Sequence, residues 1–465
     1  MSHTASPLPE VRGTWVMPGD AAFEDAVFGR VFNARRPDRR PAAVLLAADA
    51  EDVVAGVRTA RERGWQVSVR SGGHSWAVWS VRDDALLIDL GGLRSMAYDD
   101  ATAVVVAGPA VRGGTDLGPF LEARGRFFSG GHCPTVGIGG FLLQGGQGYL
   151  ARGWGWAAEN VVAVDVVTAD GELIPADATR NTDLLWAARG AGPGFPGVVV
   201  AFHLQTRSMP PVVVESVELY PLDYYADVMS WLQRVHGTVS PDVEIVALAM
   251  TPPRPVPGHP GGHLLAVTGL ALAETREEAD RALAPLWTSP LADQAHLRAV
   301  TEHPDLGPQR AAQFVANPEG HRYRADSAWL DGTPEAVVPA LRRTFTELPT
   351  PKSYAIWFSM APLRELPDMA CSLQSEIYQA TYVIYEDAAD DEPLRDWLTA
   401  RTAELQPVTV GQYLGDSDPA HRELKVLGDA QFARLQEIRA ARDPDRLFTG
   451  YLAQGADPTN VNHWL

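Results

Sequence analysis

Cysteine is nearly absent: Cys133 and Cys371 are the two thiols in 465 residues. So few exclude a disulfide scaffold, and a chain of this length needs no such staple, so both are expected to be unpaired. Metal ligands are equally sparse. The twelve histidines are scattered and no CxxC pair occurs, which speaks against a metal site. Positive charge is in deficit, with 39 Lys and Arg against 58 Asp and Glu and a formal net charge of −19. Without a basic surplus to neutralise phosphates, nucleic acid is excluded as a partner, and the acidity reads as a solubilising surface. No run approaches the roughly 18 apolar residues of a membrane-spanning helix. The opening residues, MSHTASPLPEVRG, lack the charged-then-apolar pattern of a secretory signal, so a cytoplasmic location is expected.

What is present describes an α+β protein of two lobes, since the length exceeds what one hydrophobic core usually serves. In the first part, AAVLLAA (42–48), WQVSVR (65–70), ALLIDL (85–90) and TAVVVAG (102–108) read as strands. AEDVVAGVRTARERG (50–64) reads as an amphipathic helix with acidic residues at its start and Gly64 at its end. VVAVDVVTADGE (161–172) reads as a hairpin turning on Asp-Gly. Beyond about residue 213 the pattern changes to strands such as EIVALAM (244–250), HLLAVTGLALA (263–273), YAIWFSMA (354–361) and QATYVIYE (379–386), alternating with amphipathic segments. This predicts an antiparallel sheet with helices on one face. The expected division is 1–212, 213–409, and a tail over 410–465 that returns to the first lobe.

Two glycine-rich loops carry the chemistry. RSGGHSW (70–76) follows a strand, and its paired glycines leave backbone N–H groups free to crowd a phosphate, although the same pair also closes a plain tight turn. It does not open a helix as G-x-G-x-x-G does, which excludes a Rossmann dinucleotide site. GGHCPTVGIGGFLLQGGQGYLARGWG (130–155) holds ten glycines in 26 residues. That density, far above the usual share of about 7%, fits backbone pressed against a flat, bulky ligand or a close strand-on-helix contact.

These loops, with GGQGYLARGWGWAAENVVAVDVVTADGE and the DPDRLF tail, resemble the FAD-linked oxidases of the berberine bridge enzyme type, within the vanillyl-alcohol oxidase (PCMH-type) fold. The likeness spans nearly all of the first 210 residues. It implies FAD held covalently twice, with His74 on the flavin 8α-methyl and Cys133 on flavin C6. It further implies that Arg70, Ser71, Gly72, Gly73, His74 and Ser75 hold the pyrophosphate. Gly137, Gly139, Gly140, Gly145 and Gly146 would lie along the cofactor, with Val198 and Val199 beside its adenine end. Val136 would stand where valine admits oxygen to the flavin. Two departures stand out. The YxNY segment that often supplies the family's base reads Tyr413-Leu414-Gly415-Asp416 here, and Phe141 follows GIGG where a histidine is common. The base is therefore sought among Tyr413, Asp416 and Tyr149, with Tyr451 more remote.

In the second lobe, Tyr354, Ile356 and Phe358 alternate with Trp357 and Ser359, so one set is core and the other faces the cofactor. Trp357, Ser359, Tyr378 and Tyr382 are predicted to line the substrate site. The resemblance implies an oxidase that takes hydride from a hydroxyl- or amine-bearing carbon of a small molecule, a natural product or a sugar, with oxygen reduced to hydrogen peroxide. Variants are a dehydrogenase with another acceptor, an enzyme closing C–C or C–N rings, and a flavin carrier without turnover. The bias of Arg over Lys, with no signal pattern, suggests a bacterial intracellular enzyme of secondary metabolism.

Overall fold

The first long helix, Ala50–Arg63, forms where its ends are chemically closed. Asp49 accepts the Asp52 N–H at 3.0 Å, and Gly64 takes the left-handed conformation (φ 68°) that donates its N–H back to the last turn. The structure, a computed structural model, describes residues 7–418, 421–422 and 424–451. Residues 1–6, on which part of the N-terminal reading rests, and 452–465 of the tail lie outside the described residues. Val53 and Val57 on the helix's inner face pack with Ala43, Leu45, Leu86 and Ile88. These belong to a four-stranded sheet in the order Thr14–Val16, Ala43–Leu46, Leu86–Asp89, Val67–Arg70. Its last three strands are parallel, and Thr14–Val16 is antiparallel at one edge. Burial on both faces explains their unbroken apolar runs.

A second sheet is antiparallel throughout, in the order Met96–Asp99, Val104–Ala107, Val198–Gln205, Val161–Val167, Leu173–Asp177. The last two strands form the hairpin expected around Asp170-Gly171, with Gly171 at φ 70°.

The third sheet has eight antiparallel strands: Leu297–His303, Val212–Tyr220, Leu264–Ala273, Val243–Met250, Tyr354–Ser359, Ile377–Tyr385, Arg322–Leu330 and Thr409–Gly411. Alternation decides its two faces. Val243, Ile245, Ala247, Ala355, Trp357 and Ile377 pack under the helices Tyr225–Val235, Arg276–Leu283 and Pro334–Thr346. Phe358, Tyr378, Tyr382 and Trp329 point the other way and pack with Trp76, Trp156 and Tyr413. The α+β architecture is thus layered: helices, a broad sheet, and then the lobe that carries the glycine loops.

The tail splits between the lobes. Thr409–Gly411 adds an edge strand to the broad sheet. The helix Asp429–Arg442 returns to the first lobe, where Arg442 pairs with Asp183 at 2.7 Å, and Phe448 bridges Val67. Among the described residues no helix is long and apolar enough to cross a membrane.

Candidate active site

The strand Val67–Arg70 delivers the SGGHS loop directly to the junction with the broad sheet. The Arg70 side chain is already engaged there. Its guanidinium is fully buried and committed to Asp89, at 2.7 Å through Nε, and to the carbonyls of Val27 and Ala26. A cation so engaged is an anchor for the root of the loop, because breaking it out would strand Asp89. The loop itself is pressed against the second glycine loop. A Cβ on Gly72 would lie 2.4 Å from the Gly137 nitrogen, and one on Gly139 would strike Pro109 and Ser71. Ser71 Oγ accepts the Gly140 N–H at 3.3 Å, and Ser75 Oγ accepts the Trp79 N–H at 3.3 Å.

His74 and Cys133 are brought together by this contact. His74 Nε2 is 3.1 Å from Thr135 Oγ1, which in turn is 3.8 Å from Cys133 Sγ. Phe32 stacks on the imidazole at 4.3 Å and fixes its plane. Burial and the nearby Arg112 push the His74 pKa down to about 3, so the ring is neutral at physiological pH and keeps a lone pair. Burial raises the Cys133 thiol, against which Thr135 works by hydrogen bonding.

His74 and Cys133 both border one cavity of ≈ 1520 Å³. Ordinary ligand pockets measure about 300–1,000 Å³, so there is room for a dinucleotide and a second molecule. Its lining joins Val198, Val199 and Phe448 of the first lobe, then Ser71 to Ser75, Val136, Gly137, Gly139 and Gly140, then the free face of the broad sheet. Gly145 and Gly146 are not part of it. Their positive φ values, 99° and 75°, turn the chain, and side chains there would meet Cys371 and Ala157. Their glycine signal came from packing.

On the sheet face, Tyr378 and Tyr382 line the cavity and Trp357 and Ser359 do not. Trp357 is fully buried beneath the helices, against the His236 ring at 5.2 Å, and Ser359 Oγ lies 2.9 Å from His236 Nδ1. The period of two puts Tyr354, Ile356 and Phe358 on the cavity side instead. Asp416 borders the cavity and accepts the Tyr378 hydroxyl at 2.6 Å. Burial and that carboxylate raise the phenols of Tyr354, Tyr378 and Tyr382 well above the ordinary range, so they are hydrogen-bond donors and not bases. Tyr413 is buried, and its oxygen accepts the Gln147 N–H at 3.2 Å. Tyr149 lines the cavity with its hydroxyl unpartnered among the described residues. Tyr451 is directed elsewhere, donating to the Ala191 carbonyl.

Sequence reasoning missed His132 and Glu244. His132 Nε2 and Glu244 Oε1 are 2.9 Å apart, and Glu244 Oε2 accepts the Leu150 N–H at 2.8 Å. Burial lowers the His132 pKa, but Glu244 outweighs it and the net shift is upward. A carboxylate inside the apolar run EIVALAM was the available signal, since buried charges are paired or functional.

The fold and this cavity define an FAD-binding oxidoreductase. A family model described as an FAD binding domain matches residues 41–177. The FAD-linked oxidoreductase nodO of Hypoxylon pulicicidum is 36% identical over 434 residues, covering 92% of this chain and 94% of that protein. The structure of 6-hydroxy-D-nicotine oxidase from Arthrobacter nicotinovorans superposes with a TM-score of 0.82 over 99% of both chains at 20% identity. That of Physcomitrella patens BBE-like 1 does so at 0.81, with 19% identity, over 94% of this chain and 96% of the other. The chain belongs to the FAD-linked oxidoreductases.

The residues present fit FAD, since glycines in close backbone contact border a cavity with a neutral imidazole and a thiol on its wall. Gly73 provides a check on that cradle. Its φ is 77°, and a Cβ would sit 1.8 Å from the Arg30 carbonyl oxygen. Left-handed strain alone costs about 1–3 kcal/mol at a non-glycine residue. Gly73→Ala is expected to displace the loop and yield protein with less than half the flavin content of the parent, read from its visible absorbance against protein concentration. Full flavin content in that variant would show that the loop does not hold the cofactor.

Proposed function

We propose that this protein is an oxidase that removes hydride from a hydroxyl- or amine-bearing carbon of a small, mainly apolar molecule, with FAD tethered through His74 and Cys133 and oxygen as the final acceptor. The observation that carries the reading is the Asp416–Tyr378 pair, set across the same cavity as the SGGHS and GHCPTVG loops. FAD bound here would supply the hydride acceptor and pass the electrons to oxygen as hydrogen peroxide.

The chain's own residues supply the rest. Asp416 can take the proton from a substrate O–H or N–H, and Tyr378 holds the carboxylate in place while it waits. The sheet face nearby presents Val217, Val246, Leu248, Ile356 and Phe358, side chains that suit an apolar body. Its carboxylates are already engaged. Glu215 pairs with His303 at 3.0 Å and accepts from Gln309, and Glu244 is held by His132 and Leu150. This stretch of the wall, apolar and with its carboxylates engaged, favours the natural-product reading over the oligosaccharide one. Val136 is on the cavity wall, which supports the reading that a valine there admits oxygen.

Anaerobic mixing with panels of apolar alcohols or amines and of oligosaccharides tests this. A member of the first panel is expected to bleach the flavin at least tenfold faster than any sugar. Admission of air should restore the colour with one equivalent of peroxide. Bleaching by sugars alone would overturn the substrate reading, and bleaching that air does not reverse would overturn the oxidase.

A further inference from the structure

We propose that Thr135 is a positioning residue for both tethers: one hydroxyl, held between His74 and Cys133, selects the ring nitrogen that attacks and stabilises the thiolate that follows. This rests on the reading that both side chains carry the cofactor. The two attachment points of an isoalloxazine, its 8α-methyl and its C6, belong to the same benzenoid ring, so the two nucleophiles must be close neighbours. Thr135 Oγ1 sets that spacing, at 3.1 Å from His74 Nε2 and 3.8 Å from Cys133 Sγ.

A hydroxyl has one proton, and its direction matters. If Nε2–H donates to Thr135 Oγ1, the imidazole is the tautomer whose lone pair lies on Nδ1. The hydroxyl proton is then free to point at sulfur, where it stabilises a thiolate in a site whose burial opposes one. The opposite direction would use the Nε2 lone pair and leave the sulfur as a donor. One arrangement therefore arms both nucleophiles at once. Phe32 holds the imidazole plane, and burial, with Arg112 nearby, keeps the ring from protonating. Thr135 is two residues from Cys133, and its position depends on the contact between the two glycine loops, so it orders the tethers only in the folded chain.

The chemistry balances with oxygen as oxidant. At His74 an N–C bond forms between Nδ1 and the methyl carbon, and one methyl C–H bond breaks. The electron pair enters the ring, and the Nε2 proton leaves through the Thr135 hydroxyl. At Cys133 an S–C bond replaces the C6–H bond, with loss of the thiol proton. In each case molecular oxygen takes the two electrons and two protons as hydrogen peroxide.

The test compares the purified wild-type protein with Thr135→Val and Thr135→Ser. Each is denatured in acid, the flavin kept by the pellet is measured, and the His74 and Cys133 peptides are weighed by mass spectrometry. Wild type is expected to keep its flavin and show both linkages, Thr135→Ser at least half of each, and Thr135→Val less than a tenth of both. A valine variant with both linkages at wild-type levels, or a serine variant as poor as valine, would overturn the role of Thr135 while leaving tethering intact. Wild type that releases its flavin overturns the tethering reading and this inference with it. Thr135→Ala, which only trims the side chain, gives the same reading if the valine variant does not fold.

Discussion

Asp416→Asn is expected to slow anaerobic flavin reduction by about 10²–10⁴, the range that a positioned general base contributes. Asparagine keeps the size of the side chain and can still accept the Tyr378 hydroxyl, but it cannot take a proton. The structure favours Asp416 over the other candidates because of what surrounds each. Tyr413 is buried with its oxygen already accepting the Gln147 N–H, and its phenol is raised by burial and by Asp416 itself. Tyr149 is raised by burial and then by Glu244, so it too gives up its proton with difficulty. Asp416 is the one among the three that is acidic, partly exposed to the cavity and oriented by a donor. Stopped-flow reduction decides the matter, with flavin content and covalent attachment measured alongside as controls. A loss under threefold for Asp416→Asn, together with a hundredfold loss for His132→Gln, would transfer the base to the His132–Glu244 pair.

Asp89→Ala is expected to destabilise the protein by about 3–5 kcal/mol, because it leaves the buried Arg70 guanidinium without its counter-charge. Arg70 and Asp89 side chains are 1% and 2% exposed, and Asp89 also binds Arg30 and accepts the Gly91 N–H at 2.7 Å. The loss should appear as a lower denaturant midpoint for the transition that exposes the flavin to solvent, read from its visible absorbance, because Arg70 stands at the root of the SGGHS loop. Asp89→Asn, which keeps some of the hydrogen bonds, should lie between. A change below 1 kcal/mol in the alanine variant would mean that Arg70 finds other partners.

How far the sequence could be read depended on whether a residue's role was local. The helix ending at Gly64, the Asp-Gly hairpin and the apolar strands follow from neighbours in the chain, and they formed as the pattern implied. Glycine was harder to interpret. Gly72, Gly137 and Gly139 line the cavity, whereas Gly145 and Gly146, a few residues on, turn the chain against Cys371 and Ala157. Both uses need a missing Cβ, so the composition cannot separate them. Arg70 was hard to read for a similar reason: a cation beside a glycine loop looks free for an anion until Asp89, nineteen residues away, is seen to pair with it.

By itself the sequence determined the α+β class and the two glycine loops, and through their resemblance to a known family pointed to FAD, because these lie in contiguous motifs and in the periods of strands and helices. Tertiary structure alone decided which face of Tyr354–Ser359 meets the cavity, that Asp416 is oriented by Tyr378, and that His132 is held by Glu244, 112 residues away. A period of two says that the faces differ but not which is which. That choice belongs to the helices, which bury Ala355 and Trp357 and leave Tyr354, Ile356 and Phe358 to the site.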